Sequence, residues 1–295
     1  MVPAQDMPKA EVDIDDDLVR SLLREQHPDL ADLPLVEVDA GWDNAIFRLG
    51  SDLVVRLPRR ALSAVLVDHE QRWLPELARG ISLPIPAPLR EGHPGHGYPW
   101  SWSVCSWLPG TSALVSAPDD PMAAADVLGR FVAELHRPAP ADAPENPWRG
   151  IPLAERAERV HLELERIGDR IDGPAVLACW SELLTTPPWP GPPVWLHGDL
   201  HPGNLLVHGG RVSAVIDFGD LTSGDPATDL AVAWMLLPPS ARHRFRAAAG
   251  DIDDDTWARG RAWALSLALA ILGSSADNPA YDRLGSTTLA AALEE

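Results

Sequence analysis

Residues 194–219 read VWLHGDLHPGNLLVHGGRVSAVIDFG, and the rest of the chain can be read outward from them. An apolar lead-in, Val194-Trp195-Leu196, delivers His197-Gly198-Asp199, and Asn204 follows five residues later. Two β-rich runs, Leu205–His208 and Arg211–Ile216, flank Gly209-Gly210, a pair suited to a two-residue turn with positive φ at both positions. With His208 facing Arg211 across that turn, Leu205 is expected opposite Ala214 and Asn204 opposite Val215. The hairpin then returns Asn204 towards Asp217, with Asp199 one short loop away.

A carboxylate, an amide and a second carboxylate in this arrangement suit phosphoryl transfer. Asp217 and the amide oxygen of Asn204 are hard ligands, right for Mg²⁺ and wrong for zinc. Asp199 is placed to accept or orient the proton of an attacking hydroxyl. The spacing H-x-D-x-x-x-x-N followed by D-F-G resembles the protein-kinase signature set, with Gly198 where those kinases have arginine. The fuller string His197-Gly-Asp-Leu-His-Pro-Gly-Asn204, with Ile216-Asp-Phe-Gly-Asp220, resembles the aminoglycoside phosphotransferase family of small-molecule kinases. A β-hairpin with polar residues at its mouth is the plainer alternative.

Composition sets the frame. The chain has 295 residues, 45% of them hydrophobic and 23% charged, enough for one large or two modest domains. The acidic start lacks an apolar core of the kind a signal peptide carries, and the longest apolar run, 262–272, is too short to span a bilayer. Cys105 and Cys179 lack metal-ligand spacing and read as buried free thiols of a cytoplasmic protein. A net charge of −19 argues against nucleic acid and anionic membranes as partners. Residues 1–40 hold eleven acids against three bases, so much of that charge is a solvated N-terminal segment. Lys9 is the one lysine among 24 basic residues, so an arginine in a lysine's place need not be a chemical choice.

Taken in order, residues 1–12 read as disordered, and Leu18, Leu22 and Leu23 mark an amphipathic helix from about Asp15. Leu35–Ala40, Ala45–Leu49 and Asp52–Leu57 read as three strands of a meander. The turn 41–44, between the first two, holds one glycine and no G-x-G-x-x-G, so it is either a plain hairpin turn or a phosphate cover. Arg56 alternates inward on the third strand. Glu70 falls on the apolar stripe of a following helix, where a carboxylate is costly unless paired. Arg56–Glu70 is therefore expected as a pair, structural or functional, and Pro75 should end or kink the helix. Ala87–Arg90 and Tyr98–Trp107 read as two more strands, the second running into Leu108-Pro109-Gly110. Helices are expected after Asp120-Pro121, over 153–171 (heavily charged and so on the surface), 175–184, after Asp225-Pro226, over 240–249 and 257–272, with a partly helical tail.

The resemblance implies an α+β, protein-kinase-like two-lobed fold. The N-terminal lobe, to about residue 107, would hold a five-stranded antiparallel sheet and a helix and bind nucleotide; residues 108–295 would form a mainly helical catalytic and substrate lobe. It implies ATP or GTP as donor, with Asn44, Arg56 braced by Glu70, and the backbone of Ser106 and Leu108 contacting the nucleotide. Mg²⁺ would sit on Asn204 and Asp217, Asp199 would act as base or orienter, and His197 would support the loop. Asp229 would anchor that loop by backbone hydrogen bonds, or else serve only the dipole of its helix. The acceptor implied is a hydroxyl of a small molecule, cationic if an aminoglycoside, with Asp251, Asp253–Asp255, Asp277 and Asp282 as candidate ammonium partners. Macrolide, choline-like, homoserine-like and sugar acceptors are alternatives. So, in another class, is a nucleotide-binding pseudokinase, given Arg56 and the glycine-poor turn. A monomer or homodimer is expected.

Overall fold

The structure, a computed structural model, describes residues 9–40, 43–275 and 277–294. The expected disorder of residues 1–8 and the turn residues Gly41 and Trp42 lie outside them. The chain divides into two compact units: one runs to Gly80 and adds Pro84–Pro109 and Asp217–Gly219; the other holds Ile81–Leu83, Gly110–Ile216 and the chain from Asp220 on.

The first unit opens with helix α1, Asp16–Gln26, whose first turn is capped by the Asp15 carboxylate accepting the Leu18 amide. Strands β1 (Leu35–Ala40), β2 (Asn44–Leu49) and β3 (Leu53–Pro58) form the meander, and helix α2, Ala61–Leu77, follows. With β4 (Pro88–Gly92) and β5 (Trp102–Ser106) they build a five-stranded antiparallel sheet in the order β1-β2-β3-β5-β4. This is the α+β arrangement that the motifs imply. One face buries Phe47, Leu49, Val55, Leu57, Tyr98, Trp102 and Val104 against Val19, Leu22 and Leu23 of α1.

Three expectations need correcting here. Residues 9–12 are not loose: Glu11 donates its amide to the Arg59 carbonyl, its carboxylate accepts the Ala61 amide, and Val12 packs on the core. Arg60, at the N-cap of α2, makes no side-chain cap, so an acid fifty residues earlier supplies it. Of the two effects expected of Pro75, ending the helix does not occur at that residue: α2 continues to Leu77 and closes in a 3₁₀ turn at Ala78–Gly80. The fifth strand starts at Trp102 rather than Tyr98, because the Gly95–Tyr98 bridge closes its own small turn first.

The second unit holds the two-residue strand β6 (Thr111–Ser112), then helices α3 (Pro121–Leu135), α4 (Leu153–Ile167) and α5 (Gly173–Leu183). Strands β7 (Val194–Leu196), β8 (Leu205–His208), β9 (Arg211–Val215) and β10 (Thr222–Gly224) follow. Helices α6 (Ala227–Leu230), α7 (Val232–Leu236), α8 (Pro239–Ala248), α9 (Asp254–Ser274) and α10 (Pro279–Leu293) complete it. The helix expected after Asp225-Pro226 is broken at Ala231 into α6 and α7. The charged helix α4 is no surface rod: Leu153, Arg156, Val160, Glu163 and Ile167 are buried at helical spacing, and Gly168, at φ 62°, stops it. Arg156 lies over the Trp263 ring and donates Nε and Nη2 to Ser266 Oγ of α9. Gly209 and Gly210 both have positive φ, as the tight turn needs, and His208 pairs with Arg211. The register then slips. A bulge between Leu206 and Val207 puts Leu205 opposite Val215 rather than Ala214, and the Ile216 amide donates to the Asn204 carbonyl. One extra residue on β9 thus brings Asn204 level with Ile216, directly before Asp217 in the chain.

Candidate active site

The residues singled out from sequence fall into two groups, one in each unit. In the first, β3 and α2 bring Arg56 and Glu70 together. Nη1 donates to Oε2 at 2.7 Å and Nη2 to Oε1 at 3.2 Å, a two-pronged pair with both side chains largely buried. Burial alone would lower the Arg56 pKa; the Glu70 charge, then Cys105 and Asp217, hold it above its ordinary value. Cys105 behind the pair is an inert thiol, pushed up to about 11 by burial. Asp217 sits at φ 64°, a left-handed conformation uncommon for a non-glycine residue, while Phe218 after it is fully buried. Asn44 opens β2, and its Oδ1 is buried without a hydrogen-bond partner. Ser106 closes β5 opposite Leu53, and Leu108 lies two residues beyond.

In the second unit the loop after β7 is held from beneath by one acid. Asp229, fully buried on α6, accepts the amides of His197 at 2.8 Å and Gly198 at 2.9 Å; His136 Nε2 reaches its Oδ2 at 3.2 Å. The His197 ring does not face solvent. Its Nδ1 accepts the Asp199 amide, so its Nε2 is the nitrogen that donates to the Ile216 carbonyl, which fixes the tautomer. Gly198 stands at φ 83°, and a Cβ there would come within 2.3 Å of the Asp220 carbonyl oxygen. Neither the backbone nor the space tolerates an arginine at this position.

The Asp199 carboxylate is about a third exposed, and both of its oxygens are engaged. Oδ1 accepts Arg149 Nη2 at 3.0 Å; Oδ2 lies 3.3 Å from His201 Nε2 and 3.4 Å from Asn204 Nδ2. Burial pushes this carboxyl up, but His201 first, then Arg149 and His197, outweigh it and hold Asp199 well below the usual carboxylate range. Asn204 also donates Nδ2 to the Asp199 carbonyl at 2.9 Å, so Oδ1 is the acceptor atom of its side chain.

Sequence reading missed three members of this group. Arg149, in the connection before α4, pairs with both Asp199 and Asp220; Asn146 steadies Asp220 through a 2.8 Å bond; and His201 stands beside Asp199 with its edge to Tyr281. His201 lay inside the quoted motif and could have been found there; Arg149 lies fifty residues from Asp199 in a proline-rich connection that carries no local signal. Three of the six acids proposed for ammonium groups have partners of their own. Asp253 caps α9 through the Thr256 amide, Asp254 pairs with Arg246, and Asp282 with Arg170. Among the described residues no three His, Cys, Asp or Glu side chains gather as a metal cage, and no helix is long and apolar enough to cross a membrane.

The model of the phosphotransferase enzyme family matches residues 34–263. The chain is 26% identical to the aminoglycoside 3'-phosphotransferase of Escherichia coli over 228 residues, 72% of this chain and 81% of that protein. Its fold is similar to the GDP complex of aminoglycoside 2'-phosphotransferase-IIIa, with a TM-score of 0.69 at 18% identity over 95% of this chain and 99% of that one. It is also similar to the macrolide 2'-phosphotransferase of Brachybacterium faecium, with a TM-score of 0.63 at 25% identity over 93% and 96%. With well over half of its length matched by the family model, the chain belongs to the phosphotransferase enzyme family.

Proposed function

We propose that the protein transfers the γ-phosphoryl group of ATP or GTP, with Mg²⁺, to a hydroxyl of a small molecule of the aminoglycoside type. The observation that carries this reading is the Asp199 carboxylate: partly open to solvent, held by Arg149 and His201, on a loop whose backbone hangs from Asp229. Such a carboxylate is built to orient a hydroxyl and take its proton as the P–O bond forms.

We read residues 1–107 as the nucleotide lobe and 108–295 as the catalytic and acceptor lobe, working in the cytoplasm. Arg56, held by Glu70, would meet the nucleotide phosphates; Asn44, whose buried amide oxygen lacks a partner, and the backbone at Ser106 and Leu108 are the other nucleotide contacts. The donor set fits Mg²⁺. Asn204 and Asp217 are hard oxygen ligands, the donor chemistry that Mg²⁺ takes. When bound, that ion would neutralise charge on the phosphates. His197, with both ring nitrogens committed to backbone, shapes the loop and moves no proton.

The 26% identity to an aminoglycoside 3'-phosphotransferase supports the aminoglycoside reading. A macrolide-type acceptor is the second reading. The likeness to a macrolide 2'-phosphotransferase favours it, as does the engagement of Asp253, Asp254 and Asp282 with their own partners, which leaves fewer carboxylates for a polycation. Turnover of Mg-ATP and Mg-GTP against both antibiotic classes tests the proposal. Acceptor-dependent release of nucleoside diphosphate, lost in Asp199→Ala, is expected; turnover untouched by that substitution would refute it.

A further inference from the structure

The arginine on the base is the feature that the motifs do not account for. Arg149 sits in the connection between α3 and α4, and its Nη2 forks between Asp199 Oδ1 at 3.0 Å and Asp220 Oδ2 at 3.3 Å. The side chain is 18% exposed, and its Nε is buried without a partner. The guanidinium spends its charge on two carboxylates, one of them Asp199. Asp220 is itself pinned by Asn146 Nδ2 at 2.8 Å, and its carbonyl oxygen lies where a side chain at position 198 would fall. The guanidinium therefore links the loop carrying Asp199 to the segment that follows Asp-Phe-Gly.

We propose that Arg149 is a positioning residue for phosphoryl transfer, clamping the Asp199 carboxylate in the orientation that receives the acceptor hydroxyl and tying it, through Asp220, to the chain leaving the metal-ligand segment. The inference rests on the reading of Asp199 as the acceptor-facing carboxylate. Each carboxylate oxygen has two lone-pair directions, so Arg149 on Oδ1, with His201 and Asn204 on Oδ2, fixes the carboxylate plane and leaves a direction on Oδ1 for the hydroxyl. Without Arg149 the carboxylate is held on one side only. A misplacement of about 1 Å in a near-attack geometry costs on the order of 10²-fold in rate. Lysine supplies one point charge and cannot reproduce the planar fork.

The test is a kinetic cycle with Mg-ATP and Mg-GTP, reading phosphate release to water and to an aminoglycoside and macrolide panel. Arg149→Ala is expected to lower kcat about 10²-fold with the nucleotide KM within about threefold, and Arg149→Lys to recover part of the loss. On an Asp199→Asn background the same Arg149→Ala change is expected to cost little more, because the residue acts through Asp199. An unchanged kcat, or an equal loss on both backgrounds, overturns the proposal. A crystal structure of the free wild-type protein should show the guanidinium within hydrogen-bond reach of both carboxylates; a guanidinium directed elsewhere overturns it as well. A wild type without any nucleotide turnover overturns the phosphotransfer reading itself, whereas an active wild type indifferent to Arg149 overturns only this inference.

Discussion

Asp229 separates two physical roles by magnitude. If it served only the dipole of its short helix, its removal would cost about 0.3–1 kcal/mol. The structure instead gives a fully buried carboxylate that accepts two amides, at 2.8 and 2.9 Å, and meets His136 at 3.2 Å. Asp229→Ala strands two buried N–H groups, each worth about 1–3 kcal/mol, and also unpairs the His136 ring. A loss of roughly 3–5 kcal/mol is expected, which for a unit of this size lowers the melting midpoint by about 6–20 °C. Asp229→Asn keeps one acceptor but turns an NH₂ towards the second amide, so it should recover less than half of the loss. Urea unfolding followed by tryptophan fluorescence reads both variants, since Trp195, two residues before His197, reports on the loop. A loss below 1 kcal/mol for Asp229→Ala would refute the anchoring role and leave only the dipole.

Three further outcomes are expected. Arg56→Ala breaks the ion pair of Glu70, which is only 1% exposed, so it should destabilise by about 3–5 kcal/mol in urea unfolding and raise the nucleotide KM; Arg56→Lys should keep most of the stability. Glu11→Ala removes the acceptor of the Ala61 amide and should lower stability by about 0.5–2 kcal/mol in thermal melts, whereas a chain with a loose start would show no change. Asp199 is held below the ordinary carboxylate range, so its contribution to stability is present above that range and lost as pH falls through its lowered native pKa. In the same way kcat/KM should show no limb from Asp199 between pH 5 and 8, and a carboxylate-like midpoint there that vanishes in Asp199→Asn would contradict the assignment.

The parts of the fold that were legible in the sequence are those set by local chemistry. Apolar periodicity gives α1, β2 and β3, a capping acid with proline at N1 gives α3, and the Gly209-Gly210 pair gives the hairpin. What stayed hidden depends on contacts distant in the chain. A bulge in β8–β9 has no marker in LLVHGGRVSAV, so the register comes out one residue short. The burial of α4 depends on Arg156 finding Ser266 and Trp263 on α9, more than a hundred residues on. The same limit applies to the site. His197, Asp199, Asn204 and Asp217 share one motif, and Glu70 is exposed as a candidate by its cost on an apolar stripe. Arg149 reaches Asp199 from a connection whose composition says only that it is irregular.

The central claim is a Mg²⁺-dependent transfer of a nucleotide γ-phosphoryl group to a small-molecule hydroxyl, with Asp199 at the acceptor. The most direct measurement is product analysis by mass spectrometry after incubation with Mg-ATP or Mg-GTP and an aminoglycoside or macrolide acceptor, wild type beside Asp199→Ala. The account predicts one phosphate added to one acceptor hydroxyl by the wild type, and a loss of that product by at least about 10²-fold in the variant. A wild type that neither binds nor turns over nucleotide, or a variant that forms the same product at the same rate, would contradict it.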